Sequence, residues 1–312
     1  MIFTFRTKLT SQRYIFFNKI RYNNNKLYKK IKTATYICFS KLNSTFVYLK
    51  KVMKTPYFQI SARVRYWHQA KHYKGFGVHS PFVFHWLNHV LYEKGSFYAY
   101  KTLRAIRKEF STDTTPITLS GFGTSSPQTT TVGKILKKSA TQQKYAELLF
   151  RIVNNTQAEH ILELGTNLGL TTMHLAAANS QAKIITLEGE QSLCKIAAKN
   201  FAKQGFSNIA LLPGDINTTL PKALELCPKL DIVFFDANHT YDATLNYFQQ
   251  CLPKAHAKTI FIFDDIHWSK GMELAWAQIK QHEKIRVDMD LFQMGITLFN
   301  PDLQKQSYIV QF

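Results

Sequence analysis

From residue 160 onward, short apolar runs alternate with longer segments whose apolar positions recur three and four apart, which predicts strand and helix in turn. The first run, His160-Ile161-Leu162-Glu163-Leu164, is short enough for a buried strand, and Gly165 permits a tight exit from it. Further strands are predicted at 183–187, 209–212, 231–236 and 259–263, with helices at 190–204, 220–226, 243–251 and 272–282. Such alternation implies a parallel sheet covered on both faces. The end of the chain differs, because apolar-patterned runs at 290–299 and 307–312 flank Asn300-Pro301-Asp302. They read as a hairpin that puts an antiparallel strand at the sheet edge. Ahead of the first strand, a helix over 141–154 carries Tyr145, Leu148, Leu149 and Ile152 on one face. Ser80 before Pro81 marks another helix start. Phe82, His85, Trp86, His89 and Val90 follow it at helical spacing as a packed face, with a lid over a substrate pocket as the sharper reading. A Ser/Thr/Gly-rich connector at 112–133, in which Gly121-Phe122-Gly123 reads as a turn, separates this helical cap from the domain that follows.

Composition changes the picture mainly at the amino-terminal end. The 312 residues carry a formal net charge of +20, yet residues 1–52 hold twelve Lys/Arg and no acid, and the first acid is Glu93. From there on 23 basic residues face 20 acidic ones, so the charge is weak evidence for nucleic-acid binding by the domain itself. Thirty of the first 52 residues are Phe, Tyr, Asn, Lys or Ile. That segment is expected to be a basic extension, disordered or outside the native domain, with Met53 as the native start; a targeting peptide is the functional rival. The expected division is thus 1–52, a helical cap and connector at 53–133, and the main domain at 134–312. The five cap histidines, His68, His72, His79, His85 and His89, of which His85 and His89 share a helix face, have no accompanying acid, so zinc is not expected there. Cys38, Cys194, Cys227 and Cys251 form no C-x-x-C pair, which fits a reducing cytoplasm. No apolar run reaches the length of about 18 residues that a membrane span needs.

The chemistry is concentrated at the ends of the predicted strands. A dinucleotide turn needs G-x-G-x-x-G, but Asn167 and Leu170 stand where the second and third glycines would be. The spacing Glu163-x-Gly165-x-x-x-Gly169 instead leaves room for a cofactor without a pyrophosphate, with Gly169 expected to let the ligand approach the next helix. Glu188 closes the second strand 19 residues after Gly169, where a carboxylate can accept from both hydroxyls of a ribose. Asp236, Asp264 and Asp265 follow the fourth and fifth strands. Three carboxylates in one pocket need a compensating donor or cation, and oxygen ligands favour a hard ion such as Mg²⁺.

The turn resembles motif I of class I S-adenosylmethionine-dependent methyltransferases. Val233 to Tyr241 and Ile260 to Trp268 resemble the small-molecule O-methyltransferases of the catechol, caffeoyl-coenzyme A and macrocin types. The resemblance covers residues 140–312 and implies a Rossmann-like, doubly wound α/β fold: a mainly parallel seven-stranded sheet with a final antiparallel strand, plus the amino-terminal helical extension. It implies S-adenosyl-L-methionine held by Glu163, Gly165, Thr166, Asn167, Gly169, Glu188, Gly189, Asp215 and Asp236, with Asp215 beside the adenine. It also implies a divalent metal on Asp236, Asp264 and Asp265, and His239, in the pattern Asp236-x-x-His239, as catalytic base beside Asp236. The turn after the fourth strand lacks the Pro-Pro-aromatic pattern of amino-methylating DNA enzymes, so a small-molecule hydroxyl is the expected acceptor. An RNA methyltransferase, resting on the basic amino-terminal part, and a non-catalytic cofactor-binding protein are the alternatives; a homodimer is left open. A competing structural reading has Asp264-Asp265 simply capping the helix that follows.

Overall fold

The computed structural model describes residues 44–121 and 128–312. Most of the basic extension, together with Cys38, Phe122 and Gly123, lies outside the described residues. The chain divides into two compact units at Tyr57 and Phe58. Helix α1 (Ser44–Gln69) runs through that point and through the boundary expected at residue 52. The unit from Phe58 on contains the predicted strands and the acids at their ends.

An eight-stranded sheet forms the centre of that unit. Its strands are β3 (His160–Leu164), β4 (Lys183–Glu188), β5 (Ile209–Pro213), β6 (Leu230–Phe235), β7 (Ala255–Asp264), β8 (Val287–Asp290), β9 (Met294–Leu298) and β10 (Gln306–Ile309), in the spatial order β10-β8-β9-β7-β6-β3-β4-β5. Only β9 runs against the rest. Alternate strand residues feed two different cores. Ile161, Ile184, Ile232, Phe234 and Ile262 face one side, while Leu162, Ile185, Val233, Phe235 and Phe263 face the other. Helices α5 (Gln143–Thr156), α6 (Leu170–Ala178) and α7 (Gln191–Lys203) cover the first side; α8 (Ile216–Leu226), α9 (Tyr241–Cys251) and α10 (Lys270–Gln281) cover the second. With both faces covered, the strands need no polar side, which is why they read as continuous apolar runs.

The expected carboxyl-terminal hairpin is displaced by one strand. The turn lies at residues 291–293, between β8 and β9, and β10 pairs in parallel with β8 rather than antiparallel with the run before it. The cause is local: the Asp290 carboxylate accepts from the Phe292 amide at 2.8 Å, and Phe292 adopts a left-handed φ of 71°. No glycine or proline announces that turn. The sheet therefore gains an eighth strand, and its reversed strand sits inside rather than at the edge.

The cap also differs in detail. Helix α2 (Pro81–Trp86), capped by Ser80, continues into a π-helical turn at Leu87–Leu91. Its buried stripe is Val83, Trp86, Leu87, Val90 and Leu91, whereas Phe82, His85 and His89 face outward and the two imidazoles stack 3.9 Å apart. Two helical stripes one residue out of step both fitted the spacing, and the aliphatic one is buried. Helix α3 (Tyr98–Thr112) follows, and the connector then folds as an antiparallel pair, β1 (Pro116–Leu119) and β2 (Gln128–Thr131). The division expected at residues 133 and 134 falls inside the first turn of α4 (Val132–Ser139). Cap and sheet share one continuous core.

Candidate functional site

The ends of β3, β4 and β6 meet at Gly165. Its amide and that of Thr166 both donate to the Leu187 carbonyl, at 2.9 and 3.2 Å, while the Asp236 amide donates to the Leu164 carbonyl at 2.9 Å. Gly165 has φ of 101°, and a Cβ there would lie 2.2 Å from the Asp236 carbonyl oxygen. The glycine is therefore required by the neighbouring strand, and it brings the Asp236 end directly against the turn. Gly169 has a φ of 78°, and a Cβ would meet the Phe201 ring of α7 at 2.5 Å, so helix packing by itself also requires a glycine there.

Around this turn the acids fall into distinct environments. Glu163 is fully buried; one oxygen accepts from Thr172 and, at 2.7 Å, from Thr186, while the other has no partner. Burial pushes its carboxyl up to about 7, against the pull of the Thr172, Thr171 and Thr186 hydroxyls. Thr166 is buried too, its hydroxyl bonded to that of Thr186 at 2.6 Å. Glu188 accepts from the Asn167 amide and the Glu190 amide, each at 2.8 Å, and burial raises its pKa. It thereby holds Asn167 at a left-handed φ of 51°. Gly189 follows it at the strand end. Asp215 is exposed and caps α8, accepting from the Asn217 amide at 2.7 Å.

Because the native state keeps a proton on Glu163 that the unfolded chain loses near its ordinary 4.5, this group's contribution to stability is full below pH 4.5 and is lost as pH rises through about 7. The loss is on the order of 3 kcal/mol. Glu163→Gln should therefore gain stability relative to wild type between pH 5 and 8 in urea melts. An equal offset at both pH values would refute the assignment.

At the ends of β6 and β7 the remaining expected residues converge. The Asp236 carboxyl accepts from Thr141 at 3.3 Å and lies 3.5 Å from His239 Nε2. Burial, then the negative charges of Asp264 and Asp265, hold Asp236 well above the usual carboxylate range. Asp264, 4% exposed, is raised in the same way by burial and by Asp265, and one of its oxygens is buried without a partner. Asp265 is raised by burial and His239 is lowered by it, which keeps the imidazole neutral and able to accept a proton. Asn238, His239 and Asp265 all have positive φ, at 62°, 32° and 54°. Strain of this kind persists where surrounding structure fixes it, commonly at sites of chemistry. The helix-cap alternative fails, since Ser269 caps α10 by accepting from the Met272 amide at 3.2 Å.

Among the described residues, the group that brings three candidate metal ligands within 4.8 Å of one another is Glu159, His160 and Asp231, at the opposite ends of β3 and β6. There Lys229 already supplies a positive charge, 3.4 Å from Glu159 and 3.6 Å from Asp231. Asp236, Asp264 and Asp265 are more widely spaced. They nonetheless suit a hard cation in chemistry, being buried oxygen donors, one with an unpartnered oxygen, all with pKa values raised by burial.

A small cavity beside Asp236 is lined by Ser139, Ala140, Thr141, Asn167 and Leu168. Ser139 and Ala140 carry no signal in the sequence, and Thr141 enters it only as the first residue of the helix expected over 141–154. Asn167 Nδ2 reaches the Ser139 carbonyl at 2.9 Å and closes the cavity's edge. Cys194, Cys227 and Cys251 are buried and unpaired. No helix among the described residues is long and apolar enough to cross a membrane.

Residues 162–266 match a family described as "Methyltransferase domain", a span that opens within β3 and closes just after Asp265. The chain is 29% identical over 137 residues to a catechol O-methyltransferase of Niastella koreensis, covering 41% of this chain and 57% of that protein. It is 27% identical over 133 residues to a catechol O-methyltransferase of Mycobacterium tuberculosis, covering 42% and 59%. The chain thus spans less than two thirds of the length of either relative. Among solved structures, an O-methyltransferase from Bacillus cereus in complex with SAH superposes with a TM-score of 0.48 at 16% identity, covering 69% of this chain and 96% of that one.

Proposed function

We propose, for a chain whose residues 162–266 belong to the methyltransferase domain family, that it transfers the methyl group of S-adenosylmethionine to a hydroxyl oxygen of a small-molecule acceptor. The observation that supports this reading is the contact between the glycine turn and the Asp236 end of β6, which sets the turn and a cluster of acids side by side. The sulfonium of the cofactor supplies a methyl group that needs no further activation to leave. A divalent cation on Asp236, Asp264 and Asp265 would supply the acidity that a free hydroxyl lacks near neutral pH.

The chain's own groups do the rest. Glu188 would accept from the ribose hydroxyls of a bound cofactor; Glu163, Gly165, Thr166, Asn167, Gly169 and Gly189 would form the turn that holds it, and Asp215 would recognise the adenine. His239 takes the acceptor's proton at Nε2 as the oxygen–carbon bond forms and the carbon–sulfur bond breaks, leaving S-adenosylhomocysteine. Asp236, 3.5 Å from that nitrogen, stabilises the resulting imidazolium. Calorimetry with S-adenosylhomocysteine tests the cofactor half. Glu188→Ala is expected to weaken binding by at least about tenfold, since charge-assisted bonds contribute about 1.5–3 kcal/mol each. Unchanged affinity would remove Glu188 from the ribose, and preferential binding of NAD would remove the whole reading.

A further inference from the structure

From Phe58 on, helix α1 carries apolar side chains on two opposite faces. Ala62 and Tyr66 are buried in the domain, and the Tyr66 hydroxyl donates to the Val310 carbonyl at 2.5 Å. With about 100° between successive residues, Ile60, Val64 and Trp67 fall on one stripe along the far side of the helix. They are 60%, 43% and 68% exposed. An amphipathic helix needs a single apolar stripe to join a core, and its other face is ordinarily polar. Three apolar side chains grouped on that other face form a patch of the kind that marks an interaction surface.

The helix is not free to roll this stripe inward. On one flank the Arg63 guanidinium lies over the Phe292 ring, 4.9 Å from its centroid. On the opposite flank Arg65 is bonded to Glu273 at 2.6 Å, and Glu273 is held in turn by His267 at 2.8 Å. Just past the helix, the Lys71 amide donates to the Ile309 carbonyl of the edge strand β10 at 3.2 Å.

The charge around the stripe decides what covers it. Arg63, His68 and Lys71 are exposed beside it or just beyond its end, and no acid precedes Glu93 in the sequence. A second copy of the helix would set like charges against one another, whereas paired helices place opposite charges beside their apolar seam. A nucleic acid offers phosphates and base edges, to which Ile60 and Val64 have nothing to give. An anionic lipid surface meets both features of the helix. Acyl chains take the aliphatic side chains, headgroups take the cations, and an indole ring such as that of Trp67 favours the boundary between them.

We propose that the outward face of α1 docks this protein on the surface of an anionic membrane, with Ile60, Val64 and Trp67 inserted among the lipids. The helix lies in the plane of the surface. This docking goes beyond the methyl-transfer reading and does not depend on it, because it needs neither cofactor nor acceptor.

Sedimentation of the full chain with lipid vesicles tests it. Binding to vesicles of equal parts phosphatidylcholine and phosphatidylserine is expected to be at least about tenfold stronger than to phosphatidylcholine alone, and to weaken as salt is raised. Ile60→Ser/Val64→Ser should weaken that binding by at least about tenfold with the melting temperature unchanged. The basic extension is the same in both proteins, so the difference reads the stripe alone. A second measurement holds even if the double variant melts early. Lipid brominated on its acyl chains should quench tryptophan emission in the wild type, and Trp67→Phe should remove most of that quenching. Absence of binding, equal binding to the two kinds of vesicle, binding unchanged in Ile60→Ser/Val64→Ser, or quenching that survives in Trp67→Phe overturns the proposal. So does a dimer that the double variant converts to monomer, which would assign the stripe to a second copy of the chain.

Discussion

Asp264→Ala is expected to lower methyl transfer by at least about a hundredfold while affinity for S-adenosylhomocysteine stays within a few fold. The expectation follows from where the residue sits. Asp264 is nearly fully buried, has an oxygen without a partner, and is raised by burial and by the charge of Asp265, while its own charge helps raise Asp236. A buried carboxylate without compensation destabilises the fold once it ionises, so the same substitution should gain stability relative to wild type as pH rises. Loss of turnover accompanied by a gain in melting temperature is the signature of a group retained for chemistry, and simple structural damage would lower both. EDTA should reproduce the loss of turnover in wild type. His239→Gln should cost roughly 10² to 10⁴ in rate, the usual worth of a positioned base. Full activity in EDTA would remove the metal and leave His239 as the activator; full activity in Asp264→Ala would remove the acid cluster from the mechanism altogether.

The parts of this arrangement that are legible in the sequence are those set by strands. Each apolar run is bounded by the acid that ends up at its carboxyl end, so the sequence alone places Glu188, Asp236 and Asp264. What is not legible depends on contacts between elements. The packing of Phe201 against Gly169 and the bond between the Thr166 and Thr186 hydroxyls are of that kind. The turn at Phe292 is set by a side chain bonding its own backbone, with no glycine or proline to mark it. The buried stripe of α2 is misplaced by one residue in the sequence because aromatic and aliphatic positions both recur at helical spacing, and the neighbours decide between them. Ser139 and Ala140 carry no pattern at all. Thr141 matters because the fold brings it to Asp236, 95 positions along the chain.

Gly165→Ala should have the largest effect on stability of any single methyl addition in the site. The added carbon would lie 2.2 Å from the Asp236 carbonyl oxygen, a separation no real contact reaches, and the residue would have to keep φ at 101°. The left-handed conformation alone costs a non-glycine residue about 1–2 kcal/mol. Relief by backbone movement is blocked on both sides, because the amides of Gly165 and Thr166 are bonded to Leu187 and the Asp236 amide to Leu164. Any shift must therefore break bonds between adjacent central strands, and a total cost above about 4 kcal/mol is expected, in the range reserved for severe core disruption. Gly169→Ala is the internal control. Its clash is with the edge of the Phe201 side chain, which can move where a strand carbonyl cannot, so it should cost distinctly less. Urea melts of the two variants give the comparison. If Gly165→Ala folds, it should do so with the β6 end displaced, losing S-adenosylhomocysteine affinity and the pH-dependent coupling of Asp236 to Asp264 together. A Gly165→Ala protein within about 1 kcal/mol of wild type, or less affected than Gly169→Ala, would show that the turn and the acid-bearing strand end are not joined in the way that places cofactor and acceptor side by side.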